Sequence, residues 1–144
     1  SMEEEREAEL RAVEDAMREP GGVTLVGHET VDQSARRAAQ VSSDYFVVPL
    51  EPGVWGGVSR SELLQLSTRD DAAHRSLADV VAPIARPYLY PDQSIEFALR
   101  ALRDRLFVPV VHRADPTRLV GLLALEDIVM VYRGAQSASE HLTA

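Results

Sequence analysis

Two acidic residues, Glu62 and Asp127, are the leading candidates for chemistry in this sequence. Each lies at the start of a predicted helix, shortly after a glycine (Gly56 and Gly121, respectively). A pair of carboxyl groups can act as general acid and base, as in glycoside hydrolysis. No aromatic residues suited to holding a sugar accompany these two acids, so the sequence does not predict catalysis by the pair.

Other catalytic patterns in the sequence are incomplete. Residues 28–32 (His-Glu-Thr-Val-Asp) place aspartate where the zinc-binding HExxH helix needs its second histidine. Residues 57–61 (Gly-Val-Ser-Arg-Ser) lack the closing glycine of a nucleophile elbow. Cysteine is absent, and all fifteen basic residues are arginine, which excludes thiol and lysine chemistry. We therefore expect no catalytic residue, no metal site and no cofactor, and predict that the protein is not an enzyme.

The glycine-to-acid segments belong to an internal repeat with an offset of about 64 residues. The first copy runs from Phe46 through Gly56 to Glu62, and the second runs from Val108 through Gly121 to Asp127. A repeat of this length usually marks two modules that stack to bury a shared core. The two equivalent loops are then brought together in a cleft, which is a natural place for a small ligand.

Hydrophobic periodicity assigns the same element order, β-α-β-β-α, to each half of the chain. The predicted elements are listed from the N-terminus: a helix at 3–18, a strand at 23–26, a helix at 30–42, strands at 45–49 and 54–58, a helix from 60, a short helix at 77–81, a helix from 91 to 106, strands at 107–111 and 118–123, and a helix at 125–134. Thr30 and Gln33 form a predicted capping box. Residues 67–76 connect the halves, and residues 135–144 are predicted to be a frayed tail. The predicted class is α/β, of the α+β type.

Composition is that of a globular protein, with 45% apolar and 26% charged residues. The net charge is −8, and residues 1–20 contribute much of it. An acidic surface is a poor partner for nucleic acid, which needs a basic face. No apolar run reaches the roughly 18 residues that a transmembrane helix needs.

The repeated module resembles the cystathionine-β-synthase (CBS) domain, which occurs as tandem pairs called Bateman modules. Members of that family carry a Gly-h-h-Thr/Ser-x-x-Asp segment, in which h is apolar, the hydroxyl helps hold phosphate and the acid binds ribose hydroxyls of an adenine nucleotide. The first copy here has Ser59 with Glu62 in place of aspartate, whereas the second has Ala124 with Asp127. The resemblance implies CBS repeats at 13–70 and 77–134, packed as a pseudo-two-fold pair, with residues 1–20 as an N-terminal linker helix.

The resemblance also implies two clefts, each combining the acidic segment of one half with the first strand of the other. The first-choice nucleotide-binding residues, around Asp127, are Val23, Thr24, Tyr45, Phe46 and Leu125, with the neighbouring Ser43 and Asp44. The second-cleft residues are Ser59, Glu62, Arg86 and Phe107. Asp127 is expected to accept hydrogen bonds from ribose, Thr24 to supply a hydroxyl, Tyr45 to lie against adenine, and Arg86 to pair with phosphate.

Each of these residues also has a purely structural interpretation. An acid that opens a helix is favoured by the helix dipole with or without a ligand, which applies to both Glu62 and Asp127. Tyr45 fits equally well as a core aromatic with its hydroxyl at the surface. Thr24 fits as an ordinary strand residue and Arg86 as a solvated surface charge.

Two functions remain open from the sequence: a regulatory module that senses ATP, ADP or AMP for an attached effector, and a degenerate pair that only dimerises its parent. The charged N-terminal segment and residues 125–133 are similar to the cytoplasmic tail of prokaryotic CLC-type chloride channels and transporters. Other transporters and stand-alone pairs are the alternatives. A homodimer is predicted, because the apolar side chains at 63, 64 and 66 and at 128, 129 and 131 need cover. We expect a cytoplasmic location for the domain.

Overall fold

The computed structural model describes the backbone of residues 11–143 and the side chains of residues 11–134. The strands are β1 (Tyr45–Glu51), β2 (Val54–Ser59), β3 (Ala82–Pro83), β4 (Phe107–Val111) and β5 (Leu119–Ala124). In the described residues, one sheet has the strand order β1-β2-β3 and the other β4-β5, and each is built on an antiparallel hairpin from one half of the chain. The helices are α1 (Val31–Ala38), α2 (Arg60–Ser67), α3 (Ile95–Ala101) and α4 (Leu125–Thr143). Single turns of 3-10 helix span Val13–Asp15, Pro20–Gly22 and Leu77–Asp79.

Helix starts follow the capping chemistry in the sequence. The Thr30 side chain accepts a hydrogen bond from the Gln33 N–H, and the Gln33 side chain accepts one from the Thr30 N–H, so the predicted capping box at α1 is confirmed. Ser59 and Glu62 form the same reciprocal pair at the start of α2. Both hydroxyl and acid of the first glycine-to-acid segment are therefore used in local capping.

Among the side chains of residues 11–134, three apolar clusters build the core. One lies in each half, and the third joins the halves through Val23, Val47, Leu122 and Ala124. Tyr45 at the start of β1 stacks on Phe107 at the start of β4, with ring centroids 4.9 Å apart. Because these two residues occupy equivalent places in the repeat, their contact marks the pseudo-two-fold axis of the pair.

The segments that precede each half pack on the opposite core. Val13 is fully buried in the cluster of the second half, beside Ile95 and Ile128. Leu77, its counterpart in the repeat, is fully buried in the cluster of the first half. Arg18 pairs with Leu122 of β5, and Ala82 pairs with Gly57 of β2 in the same manner. Each sheet is thus extended by chain that belongs to the other repeat.

Several predicted boundaries are corrected by the structure. Residues 3–10 of the predicted first helix lie outside the described residues, and no continuous helix covers 11–18. There the N–H groups of Val13, Glu14 and Arg18 bond to carbonyls of the 91–93 loop and of β5, which leaves them unavailable to a helix. The predicted strand at 23–26 is reduced to one parallel bridge between Thr24 and Val47. The predicted helix at 91–106 is shorter, since α3 spans Ile95–Ala101. The predicted tail was 135–144; the backbone of 135–143 continues α4, and residue 144 lies outside the described residues.

Candidate functional site

Asp127 lies in the first turn of α4 and is held from two sides. Its Oδ2 accepts a hydrogen bond of 2.9 Å from the Ala124 N–H, as an acid in a capping box does. Its two carboxylate oxygens share the Arg18 Nε–H, at 3.1 and 3.0 Å. Only 15% of the Asp127 side chain and 20% of the Arg18 side chain are exposed, so the ion pair is largely covered. The acid named in the sequence is therefore already paired within the chain.

Arg18 also ties this acid to the first half of the chain. Its Nη1 donates to the Ser43 Oγ at 2.8 Å, and its Nη2 donates to Glu126 at 3.2 Å. The guanidinium carbon lies 5.6 Å from the centre of the Tyr45 ring, within range of a cation–π contact. Since Phe107 covers another part of that ring, Tyr45 is in contact with residues of both clefts. One arginine thus bridges the start of α4 and the segment leading into β1.

Burial raises the pKa of Asp127 above its ordinary value, because a charged carboxylate loses solvation inside the protein. The Ala124 N–H and the positive charge of Arg18 oppose that rise. Tyr45, close by, also has a raised pKa, first because of its burial and then because of the negative charge of Glu126. The site is a half-buried acidic group whose ionised form is stabilised by the Ala124 N–H and by Arg18.

An open cavity of about 670 Å³ lies next to this network. Its lining residues are Arg18, Glu19, Gly22, Val23 and 40–44. This volume falls within the ordinary range for small-molecule pockets. Arg18 lines the cavity and bonds to Asp127, whereas Asp127 is not among the lining residues.

The structure places only some of the first-choice residues at the cavity or next to Arg18. Val23 lines the cavity, and Tyr45 lies against Arg18. The Thr24 hydroxyl donates to the Pro20 carbonyl oxygen at 2.7 Å and is therefore engaged. Phe46 is 1% exposed within the first-half cluster, so its side chain packs in the core rather than in a cleft. Leu125 is 47% exposed at the start of α4.

The second-cleft residues do not come together as a group. Ser59 shares a small depression with Tyr45 at the end of β2, and Glu62 is exposed and caps α2. Arg86 lies at the opposite end of β2, where its Nη2 donates to the Gly53 carbonyl oxygen. Phe107 is taken up by the stack with Tyr45.

The Arg86 side chain lines a separate cavity of about 530 Å³ between the two hairpin turns. Pro52, Gly53, Pro116 and Thr117 contribute the turns, and Tyr88, Tyr90 and Phe97 contribute aromatic walls. The carbonyl oxygens of Ala85 and Pro87 accept hydrogen bonds from the Arg105 Nη1, at 2.8 and 3.3 Å.

Sequence reasoning missed three arginines: Arg18, Arg60 and Arg105. Arg60 donates to the carbonyl oxygens of Ala38, Val41 and Ser43 and so fixes the loop that lines the larger cavity. The repeat contained a signal for Arg18. Ala82 pairs with β2 in the same way that Arg18 pairs with β5, so alanine occupies the equivalent position in the second half. A cation present in one half and absent from the other indicates a role outside the shared fold.

Helices of the described part of the chain include none with the combined length and apolarity of a membrane span. Within that same part, no cluster of three or more histidine, aspartate or glutamate side chains is arranged to hold a metal ion.

No family model matches the sequence, and no curated protein matches it. Solved structures do match it. The CBS domain of the bacterial CNNM/CorC family Mg²⁺ transporter in complex with ATP is similar over 92% of this chain and 94% of that one, with a TM-score of 0.74 and 19% identity. CbpB in complex with c-di-AMP is similar over 97% and 96% of the two chains, with a TM-score of 0.70 and 13% identity.

The CBS domain pair of protein MJ0100, in complex with 5′-methylthioadenosine and S-adenosyl-L-methionine, is similar over 87% of this chain and 98% of that one. Its TM-score is 0.66 and its identity is 15%. Similarity at these identities concerns the fold. The predicted α+β class and the paired repeats are confirmed, with the first strand of each repeat reduced to a single bridge, and the chain has the fold of a CBS domain pair.

Proposed function

We propose that the protein is a regulatory module that binds an adenosine-containing ligand, such as an adenine nucleotide, in the cleft beside Asp127. The observation that carries this proposal is the half-buried Asp127 carboxylate at the start of α4, one side chain away from an open cavity. A carboxylate at that position can accept hydrogen bonds from both hydroxyls of a ribose. The ligands in the similar structures, ATP, c-di-AMP and S-adenosyl-L-methionine, all contain adenosine and support the same class.

A ligand at this place would contact both halves of the chain. Val23 and Ser43 belong to the first repeat, whereas Asp127 belongs to the second. A ligand that fits one arrangement of the halves better than another shifts the population toward that arrangement. An effector attached to either end of the chain would experience that shift, which makes the module a sensor.

We propose a membrane transporter as the effector, with this module on its cytoplasmic side. The sequence alone favoured a CLC-type chloride channel or transporter, and the similar structures give that choice no support. They include the CBS domain of a CNNM/CorC family Mg²⁺ transporter, and a parent of that kind is the one they favour. The sequence of the whole parent protein tests this choice directly.

We also propose that the module is a homodimer that associates through α2 and α4. Leu64 on α2 and Met130 on α4 are 57% and 63% exposed, and Val129 is 41% exposed. Leu63, Ile128 and Val131, which the sequence placed on the same uncovered faces, are instead buried in their own half. The exposed apolar surface on α2 and α4 is thus smaller than the sequence predicted. Closed two-fold symmetry is the commonest way to cover such a surface.

Sedimentation velocity tests the dimer. A species of twice 15.9 kDa is expected for the unaltered chain, and the Leu64→Glu variant should sediment as a monomer. Phe97→Glu, which changes an exposed apolar residue on α3, is the matched control and should leave the dimer intact. A monomer at micromolar concentration before any substitution would contradict the proposal.

Calorimetry with AMP and ATP tests the binding site. Asp127→Asn keeps the shape of the side chain but removes the charge, so it should weaken binding at least about tenfold, since a hydrogen bond to a charged group contributes roughly 1.5–3 kcal/mol. Glu62→Gln, at the equivalent position of the other half, is the matched control and should bind as before. Equal affinities for Asp127→Asn and the unaltered chain would refute the assignment, and weakening by Glu62→Gln alone would place the site in the other cleft.

The second candidate function is that of a dimerisation module without a ligand. Two observations favour it: Ala124 lacks the hydroxyl of the family segment, and Asp127 already has a partner in Arg18. The same calorimetry separates the two candidates. Absence of heat with any adenosine derivative at millimolar concentration would support the ligand-free module.

A further inference from the structure

The two halves of the pair differ sharply at one position next to the glycine-to-acid segments. Arg18 pairs with Leu122 of β5, and Ala82 pairs with Gly57 of β2, so the two residues occupy equivalent places. The methyl group of Ala82 carries no charge toward Glu62. The guanidinium of Arg18, in contrast, reaches Asp127 in its own cleft. The fold does not require an arginine here, since the equivalent place accepts alanine.

Arg18 occupies the atoms that a ribose would need. The Oδ1 atom of Asp127 accepts from the Arg18 Nε–H, and Oδ2 accepts from the same group and from the Ala124 N–H. Arg18 also lines the neighbouring cavity, whereas Asp127 does not. A vicinal diol that takes both carboxylate oxygens from the cavity must therefore displace the guanidinium.

The displaced guanidinium would still line the cavity. Arg18 is the one basic side chain among the residues that line it, whereas Glu19 and Asp44 contribute negative charge. Ala124 offers no hydroxyl for a phosphate group. Any phosphate attached to the ligand in this cavity would find its cation in Arg18, since guanidinium is well suited to phosphate. A ligand without phosphate would displace the ion pair and offer the arginine no replacement.

We propose that Arg18 is the specificity-determining residue of this cleft: it competes with ribose for Asp127 and, once displaced, binds phosphate. The cleft therefore prefers phosphorylated adenosine over adenosine itself. This inference rests on the proposed function, because it concerns the ligand of the same site. Arg18 acts here through direct contact with the ligand, so its removal must change the two ligand classes in different ways.

Calorimetry with adenosine and AMP, on the unaltered chain and on Arg18→Gln, tests the inference. The unaltered chain should bind AMP more tightly than adenosine. Arg18→Gln should bind adenosine about tenfold more tightly than before, because the competitor is gone. AMP should gain little or lose affinity, since the same substitution removes the partner of its phosphate. The ratio of the dissociation constant of adenosine to that of AMP should thus fall by at least about tenfold in Arg18→Gln. Arg86→Gln, which alters the cavity at the far end of β2, is the matched control and should leave the ratio unchanged.

Arg18→Lys provides a second variant that retains the positive charge without the planar fork of donors. It should keep a measurable preference for AMP, which a purely structural role for Arg18 does not predict. Thermal unfolding of each variant confirms that it is folded before titration. If both ligands bind but the ratio is the same in Arg18→Gln, the cleft binds adenosine derivatives and the role of Arg18 is refuted. If neither ligand binds any of the proteins, the proposed function fails and the inference fails with it.

Discussion

Arg60 offers a direct test of how the wall of the cleft is held in place. This residue is the first of α2, and its guanidinium donates four hydrogen bonds to three carbonyl oxygens. The acceptors are Ala38, at 2.8 Å, Val41, at 2.6 Å, and Ser43, at 3.1 Å from Nε and 2.7 Å from Nη2. Arg60 therefore caps the C-terminal end of α1 and fixes the loop that carries Ser43.

The substitution Arg60→Met keeps the aliphatic length and removes every donor. Hydrogen bonds to a charged group contribute roughly 1.5–3 kcal/mol each, but the four share one side chain and water can replace some of them. We therefore expect a loss of about 3 kcal/mol in the free energy of unfolding, or about 6–12 °C in Tm for a chain of this size. The contact between the guanidinium and the Phe46 ring, 5.4 Å from its centre, is lost as well.

Urea unfolding followed by circular dichroism measures this loss. Arg36→Met is the matched control, because Arg36 is exposed on α1 and should change the free energy of unfolding by less than about 0.5 kcal/mol. Equal stability of Arg60→Met and Arg36→Met would refute the reasoning that the four hydrogen bonds hold the loop. A loop loosened in this way should also weaken ligand binding at the neighbouring cavity.

Two further predictions concern the contact between Arg18 and the second half. Gly121→Ala should destabilise the protein by about 1–3 kcal/mol in urea unfolding, because the new Cβ would lie 2.7 Å from the Arg18 carbonyl oxygen. Gly134→Ala is the control and should not destabilise the protein, since its Cβ would meet nothing within 4 Å. Equal effects of the two substitutions would contradict the close approach at Gly121. Burial raises the pKa of Asp127 in the folded protein above its ordinary value, so protonation of this carboxyl group favours the folded state. The contribution of Asp127 to the free energy of unfolding is therefore full below the ordinary aspartate pKa and is lost as pH rises through the raised pKa. Arg18→Gln should raise that pKa further, since it removes a positive charge, and a ¹³C NMR titration of the Asp127 carboxyl group that shows no rise would contradict the ion pair.

Local patterns in the sequence predicted the elements that depend on local chemistry. The capping box of Thr30 and Gln33 marked the start of α1, and the apolar run at Phe107–Val111 marked β4. The repeat also predicted two modules that bury a shared core, and one apolar cluster does join the two halves. These features follow from spacing alone, because periodicity and capping act within a few residues.

Features set by distant contacts escaped prediction. The segment around Val13 has the apolar spacing of a helix, but its backbone N–H groups find partners in the 91–93 loop and the side chain fills the second core. Asp127 was identified as a site residue, whereas its partner Arg18 lies 109 positions away in the chain. No local pattern signals a contact across that separation. Tertiary pairing overrides local preference in both cases.

The central claim, that an adenosine-containing ligand binds beside Asp127, is tested most directly by NMR. Backbone ¹⁵N–¹H spectra recorded during a titration with AMP report which part of the chain meets the ligand. The account predicts that the largest shifts fall on Val23, Ser43 and Asp127. Shifts concentrated on Gly53 and Tyr88 at the far cavity would contradict it, as would unchanged spectra at millimolar AMP.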